Sequence, residues 1–182
     1  MLIREMNVMP FKVLLAQDIS QPGKDILHEA GYEVILAEKE SKELIKSLIA
    51  DCDAVFSKTF FLDEETLLSG KKLKVIAKHG VGIDNVVDLS TATKLGLFVV
   101  RTPLANMESV AEHTMVAILA LAKNLIPVDR TVRELNFNVP VYLENHEVKG
   151  KTLGIVGCGN IGREVAKKAA FGFEIKVLAY DP

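Results

Sequence analysis

The chain is predicted to be α/β, two successive units each built on parallel strands, and three observations carry that prediction. Between residues 12 and 100, short apolar runs alternate with amphipathic segments. After Pro103 the rhythm breaks into a long apolar helical stretch containing "VAEHTMVAILALAK". A glycine-rich turn, "VGCGNIG" at 156–162, then joins a strand to a helix and a further strand. Alternation of this kind buries strands on both faces and needs helical crossovers, which is the grammar of a parallel sheet.

Taken in order, "KVLLA" at 12–16 is the first strand, followed by a helix over 23–30 that Gly31 closes. A strand over 33–37 leads to a helix over 41–50. There Ser41 stands at the entry, and Leu44, Ile45, Leu48 and Ile49 share one apolar face. A strand over 54–56, a helix over 64–69, a strand over 74–77, a helix over 89–95 stopped by Gly96, and a last strand over 97–100 complete five strands and four helices. The arrangement expected is a flavodoxin-like, doubly wound parallel sheet in the order 2-1-3-4-5, with domain limits 1–104 and 105–182. The helix after Pro103 runs over 106–124. Ser109 and Glu112 could form a capping box or Asn106 could be the N-cap, and so apolar a helix should be buried on most of its surface. A more polar helix over 128–135 and a loop with Pro140 precede Gly150.

The last segment reads strand over 152–156, glycine turn, helix over 163–171 stopped by Gly172, strand over 175–180, then Asp181. Asp181 lies 19 residues past the last glycine. Each part has a physical task in an incomplete Rossmann unit. Gly157 permits the tight turn, Gly159 lets backbone approach a pyrophosphate, and Gly162 lets helix and strand pack closely. Amides at the helix start favour phosphate charge. Asp181 would accept hydrogen bonds from the adenine ribose and repel a 2′-phosphate, so NAD is favoured over NADP. The same glycines in a plain packing turn remain the competing reading.

Ligands of open parallel sheets bind beyond the carboxyl ends of the strands. There the sequence places "KHGVGIDN" at 78–85 and "TPLAN" at 102–106. Exposed amides around Gly80 and Gly82 could hold a carboxylate, with Lys78 adding positive charge; a loop whose glycines serve only backbone shape is the competing reading. The net charge of −2, with no basic stripe, argues against nucleic acid. The longest apolar run, 115–122, is too short for a bilayer span, and the start "MLIREMNVMP" has no signal-peptide core. Cys52 and Cys158 suggest neither a disulfide framework nor a metal site, and Cys158 reads as a small residue facing cofactor. A cytoplasmic protein is expected. His28 and His146 read as surface residues, while His79 and His113 read more readily as satisfied polar residues than as catalysts. Glu112 and His113, one apart on a helix, do not face each other.

The segments "HGVGIDNVVD", "TPLANMESVAEHT", "KGKTLGIVGCGNIGREVA" and "VLAYDP" together resemble the D-isomer-specific 2-hydroxyacid dehydrogenases, in order along nearly the whole chain. Within that family the resemblance is to the phosphoglycerate dehydrogenase branch and its glyoxylate/hydroxypyruvate reductase relatives. It implies a substrate domain, an NAD-binding Rossmann domain, and reversible oxidation of a D-2-hydroxy acid to a 2-oxo acid. It further implies dimer contacts through the helix over 106–124. Carried over by position, the amides of Val81 and Gly82 resemble the family's carboxylate clamp. Lys78 stands where many members have arginine, Asn106 resembles a residue that contacts substrate or cofactor, and the amides of Asn160 and Ile161 resemble those holding the pyrophosphate. One departure is "FSKT" at 56–59, where the phosphoglycerate branch reads Val-Arg-Ser; the arginine is replaced by Ser57 or shifted to Lys58, which puts a phosphorylated substrate in question. The family's catalytic arginine, glutamate and histidine lie beyond the second strand of the nucleotide domain, so no catalytic residue is expected within these 182 residues. A non-catalytic NAD-binding or dimerisation module of the same fold is the alternative. A flavodoxin-like signalling domain would explain 12–104 but not the glycine turn.

Overall fold

The computed structural model describes residues 10–135 and 144–182. The chain divides into two compact units, Met1–Pro103 and Leu104–Pro182. The loop with Pro140 lies outside the described residues.

In the first unit the elements run β1 (Lys12–Leu15), α1 (Gln21–Glu29), β2 (Glu33–Leu36), α2 (Lys42–Ile49), β3 (Ala54–Ser57), α3 (Glu64–Ser69), β4 (Val75–Lys78), α4 (Leu89–Lys94) and β5 (Phe98–Arg101). The five strands are parallel in the order β2-β1-β3-β4-β5, as the sequence predicts. Local chemistry sets the helix starts. Ser41, Asp63 and Asp88 each accept a backbone N–H three residues on, from Leu44, Thr66 and Thr91, satisfying amides that have no partner within the helix. Helix α1 begins two residues earlier than the apolar pattern suggests, because Pro22 supplies a helical φ in the first turn.

Alternation along the strands builds two cores. Leu14, Val55 and Ile76 point to one face, where Ile45 and Ile49 of α2, Leu67 of α3 and Ala92 of α4 cover them. Val13, Leu15 and Ala54 point to the other, where Leu27 of α1 packs. The winding is therefore three helices on one face and one on the other. At the margins of the thinner face Leu36, Phe98 and Val100 stay exposed.

The second unit contains α5 (Met107–Ala122), α6 (Leu125–Leu135), β6 (Thr152–Val156), α7 (Asn160–Lys167) continued by a π turn over Lys168–Gly172, and β7 (Lys176–Tyr180). Strands β6 and β7 pair in parallel. Leu153, Ile155 and Val177 pack on Ala111 and Met115 of α5 and on Val165 of α7. Four sequence expectations need correction here. Helix α7 starts at Asn160, not 163, so Gly162 lies inside its first turn. The π turn carries it to Gly172. Helix α6 starts at Leu125, three residues before the expected position. Helix α5 begins at Met107, so the Ser109/Glu112 capping box is not used, and Asn106 occupies the N-cap position without a side-chain cap bond. Nor is α5 buried on most of its surface: only Ala111 and Met115 are buried along it, and Val116 and Leu121 are exposed. A two-stranded sheet offers one helix only a narrow seam, and Val116 and Leu121 are left uncovered by the described residues.

Candidate functional site

In the first unit the carboxyl ends of β3, β4 and β5 line up in register as Ser57, Lys78 and Arg101. The loop after β4 is fastened at both ends. At its start the Gly80 N–H donates to Thr102 Oγ1 at 3.1 Å, and the Thr102 N–H returns a bond to the Gly80 carbonyl at 3.1 Å. At its end Val86 and Val87 are buried, and Leu62 exchanges backbone bonds with Val86 and Asp88. Between these anchors the amides of Val81 and Gly82 meet no acceptor among the described residues. Two fixed, adjacent, unpaired amides at the carboxyl edge of a parallel sheet suit a carboxylate.

Two cations shape this loop from beneath. The Lys78 ammonium donates to the carbonyls of Lys58 and His79, and Arg101 Nη1 donates to the Val81 carbonyl at 3.0 Å. Lys78 is thus a brace between two loops, with its charge directed at backbone carbonyls. Arg101 is absent from the sequence reading, since an arginine at a strand end carries no motif. Gln17, just after β1, is likewise missed. It is buried, and its Oε1 accepts the amides of Lys58 and Thr59 at 2.8 Å and of Phe60 at 3.2 Å. Its Nε2 donates to Thr59 Oγ1 at 2.7 Å and Glu40 Oε2 at 2.9 Å. His79 is exposed, with its ring 6.0 Å from that of Phe56. Cys52 lies in the core, and burial pushes its thiol up to about 11, which suits packing and not nucleophilic work.

In the second unit the glycine turn is tight and closely packed on the helix that follows it. Gly157 sits at φ +92°, a conformation that disfavours any side chain. A Cβ on Gly162 would stand 2.3 Å from the Gly157 carbonyl oxygen, so helix and turn touch backbone to backbone. A Cβ on Gly159 would meet nothing within 4 Å, leaving room above the turn. Asn160, Ile161 and Gly162 form the first turn of α7, where amides lack intrahelical acceptors. The turn is held by the Gly157 N–H on the Tyr180 carbonyl at 2.8 Å and by Arg163 Nε on the Cys158 carbonyl at 2.9 Å. Asp181 follows β7 directly and is exposed. Asn106 is exposed at the start of α5, and His113 is exposed along it. Among the described residues no cluster of His, Cys, Asp or Glu could hold a metal ion, and no helix is long and apolar enough to cross a membrane.

Comparison with known proteins places the chain in a family. The family model described as D-isomer specific 2-hydroxyacid dehydrogenase, catalytic domain, matches residues 13–175. The chain is 36% identical to the D-3-phosphoglycerate dehydrogenase of Archaeoglobus fulgidus over 94% of its length and 32% of that protein's. It is also 36% identical to the glyoxylate reductase of Korarchaeum cryptofilum, over 93% of this chain and 52% of that one. The crystal structure of D-lactate dehydrogenase from Aquifex aeolicus with NAD and lactic acid superposes with a TM-score of 0.81 at 29% identity, covering 93% of this chain and 51% of that one. The chain thus spans about a third to about half of the lengths of these relatives. With a family match across nearly its whole length and a glycine turn and amide loop to go with it, the chain belongs to the D-isomer specific 2-hydroxyacid dehydrogenases.

Proposed function

We propose that the chain is the substrate-binding domain (1–104) and the first part of the NAD-binding domain (105–182) of an NAD-dependent dehydrogenase acting on D-2-hydroxy acids. The reaction is of the kind named for its phosphoglycerate dehydrogenase and glyoxylate reductase relatives. The observation that carries this reading is the backbone contact at Gly162, where a single added carbon would meet the Gly157 oxygen at 2.3 Å. A turn so tight leaves the amides of Asn160 and Ile161 clear for a pyrophosphate, with Gly159 giving it room. NAD supplies the hydride acceptor. The residues of this chain bind and orient: the amides of Val81 and Gly82 take the substrate carboxylate, braced by Lys78, and Asn106 adds a polar contact to substrate or cofactor. Asp181 takes the adenine ribose. His79 and His113 are both exposed, and proton transfer is assigned to neither of them. The 182-residue polypeptide by itself is expected to be inactive.

The exposed Val116 and Leu121 of α5 support a homodimer through the helix over 106–124. Kinetics of the full-length gene product test the cofactor assignment: kcat/KM should favour NAD, and Asp181→Ala should narrow the gap to NADP. Equal or better use of NADP by the native protein overturns it. For the carboxylate site, a Cβ on Gly82 has its nearest neighbour at 3.9 Å, so Gly82→Val folds and places its methyls beside the two amides. KM for the hydroxy acid should then rise about tenfold or more, and an unchanged KM refutes the assignment.

A further inference from the structure

The two amides given to the substrate carboxylate belong to neighbouring peptide groups: the Val81 N–H to the group shared with Gly80, and the Gly82 N–H to the group shared with Val81. The described peptide bonds are all trans, so carbonyl and N–H point to opposite sides of each group. A donor that grips the carbonyl therefore aims the amide behind it. Both carbonyls are gripped, and from one place, the carboxyl end of β5. The Thr102 N–H donates to the Gly80 carbonyl at 3.1 Å, and the Thr102 hydroxyl adds a contact at 3.3 Å. Arg101, paired across the sheet with Lys78, sends Nη1 to the Val81 carbonyl at 3.0 Å. Lys78 grips the group before these two, through the His79 carbonyl at 3.0 Å.

The group between Val81 and Gly82 has the greatest need of such a grip. A peptide turns over when ψ of the residue before it and φ of the residue after it change together, and glycine accepts either sign of φ. Overturned, this group would present the Val81 oxygen to a carboxylate and repel it. In the observed orientation the guanidinium bonds the carbonyl and leaves the N–H for the carboxylate, a chain in which each bond polarises the next. A hydrogen bond from an ionised donor is also stronger than a neutral one. The arginine keeps its charge at every working pH. Lys78 does not duplicate this contact, since its ammonium is turned to the carbonyls of Lys58 and His79.

We infer that Arg101 is a positioning residue of the carboxylate site: its guanidinium holds the Val81 carbonyl and thereby aims the Gly82 N–H, while Thr102 aims the Val81 N–H through the Gly80 carbonyl. This rests on the proposed dehydrogenase activity and deepens it, by moving the control of substrate binding from β4, where the glycines lie, to the end of β5. The substrate carboxylate is bound by backbone, and the backbone is set by Arg101.

The test is steady-state kinetics of the full-length gene product with NADH and the best substrate among glyoxylate, hydroxypyruvate and its 3-phosphate. Arg101→Met should raise KM for the oxo acid about tenfold, with kcat and KM for NADH within about twofold of native. A merely structural loss would instead lower kcat and raise both KM values. Arg101→Lys keeps a cationic donor for the single bond and should restore KM to within about threefold. Thr102→Val keeps the backbone bond to Gly80 and should raise KM by only about threefold. The decisive measurement is the double variant: once Gly82→Val has blocked the two amides, Arg101→Met should add less than about twofold, because both changes act on one contact. An unchanged KM in folded Arg101→Met overturns the inference, and so does full additivity with Gly82→Val, which would place Arg101 on the substrate directly. If Arg101→Met does not fold, Arg101→Gln, too short to span to the Val81 carbonyl, carries the same expectation. Each of these outcomes leaves the dehydrogenase reading intact, whereas reduction of none of the three acids by the native protein overturns that reading itself.

Discussion

The two units use the same strand–turn–helix grammar and reach different degrees of closure. In the first, the central strands are covered on both faces, and Leu14, Val55 and Ile76 are wholly inaccessible. In the second, one face of the two-stranded sheet is covered by α5 and α7, while the other presents Val156 at 86%, Leu178 at 67% and Tyr180 at 65% exposure. The difference teaches that parallel pairing and glycine geometry are local, whereas burial needs a second layer. A glycine turn such as 157–162 can therefore be shaped by its own backbone contacts within a unit whose described hydrophobic core is one-sided.

The largest effect expected across this comparison is at Leu14. Leu14→Ala should lower the stability of the first unit by about 3 to 5 kcal/mol in urea denaturation, since the site is closed from all sides. A loss below about 1 kcal/mol would mean that the first core is as open as the second. Next comes Gly162→Ala, which forces α7 away from the turn because the obstacle is backbone oxygen and not a movable side chain. Overpacking of this kind costs about 1 to 3 kcal/mol, and NAD affinity of the full-length protein, measured by calorimetry, should fall at least about tenfold. Retained affinity would show that the close approach has no part in cofactor binding.

A smaller effect belongs to the caps of the first unit. The Lys42 ammonium, 2.6 Å away, and then the Thr66 hydroxyl hold the Asp63 carboxyl down to about 2. Because that value is depressed in the folded state, the stabilisation is present above the unfolded carboxyl range near about 4 and is lost as pH falls through about 2. Asp63→Ala should cost about 1 kcal/mol near neutrality, and the acid limb of the stability profile should become shallower. The smallest effect is expected at Leu178, where Leu178→Ala should change stability by less than about 0.5 kcal/mol in dilute protein. A cost near that of Leu14, growing with protein concentration, would show the open sheet face to be covered in an assembly.

The sequence alone determined the strand order, the helix assignments of the first unit and the place of the glycine turn. Each rests on a short-range signal: short continuous apolar runs, Ser41 at the entry of its helix, glycine where backbone must bend or touch. It also marked Gly82 and Asp181 as candidates by their place in glycine-rich spacing, and Val81, Asn160 and Ile161 through the family resemblance. Only the tertiary structure decided where long side chains go. Lys78 reads as a substrate cation but turns to the carbonyls of Lys58 and His79, and Gln17, one polar residue after a strand, accepts three amides some forty residues away. Asn106 and the Ser109/Glu112 pair carry capping signals that α5 leaves unused. Its apolar surface is likewise beyond the reach of periodicity, which says that a face is fit for burial but not what lies against it. A flexible side chain chooses among all acceptors within its reach, and those are supplied by segments distant in sequence. The fold's hydrogen-bond destinations are therefore decided by packing, after the strands are in register.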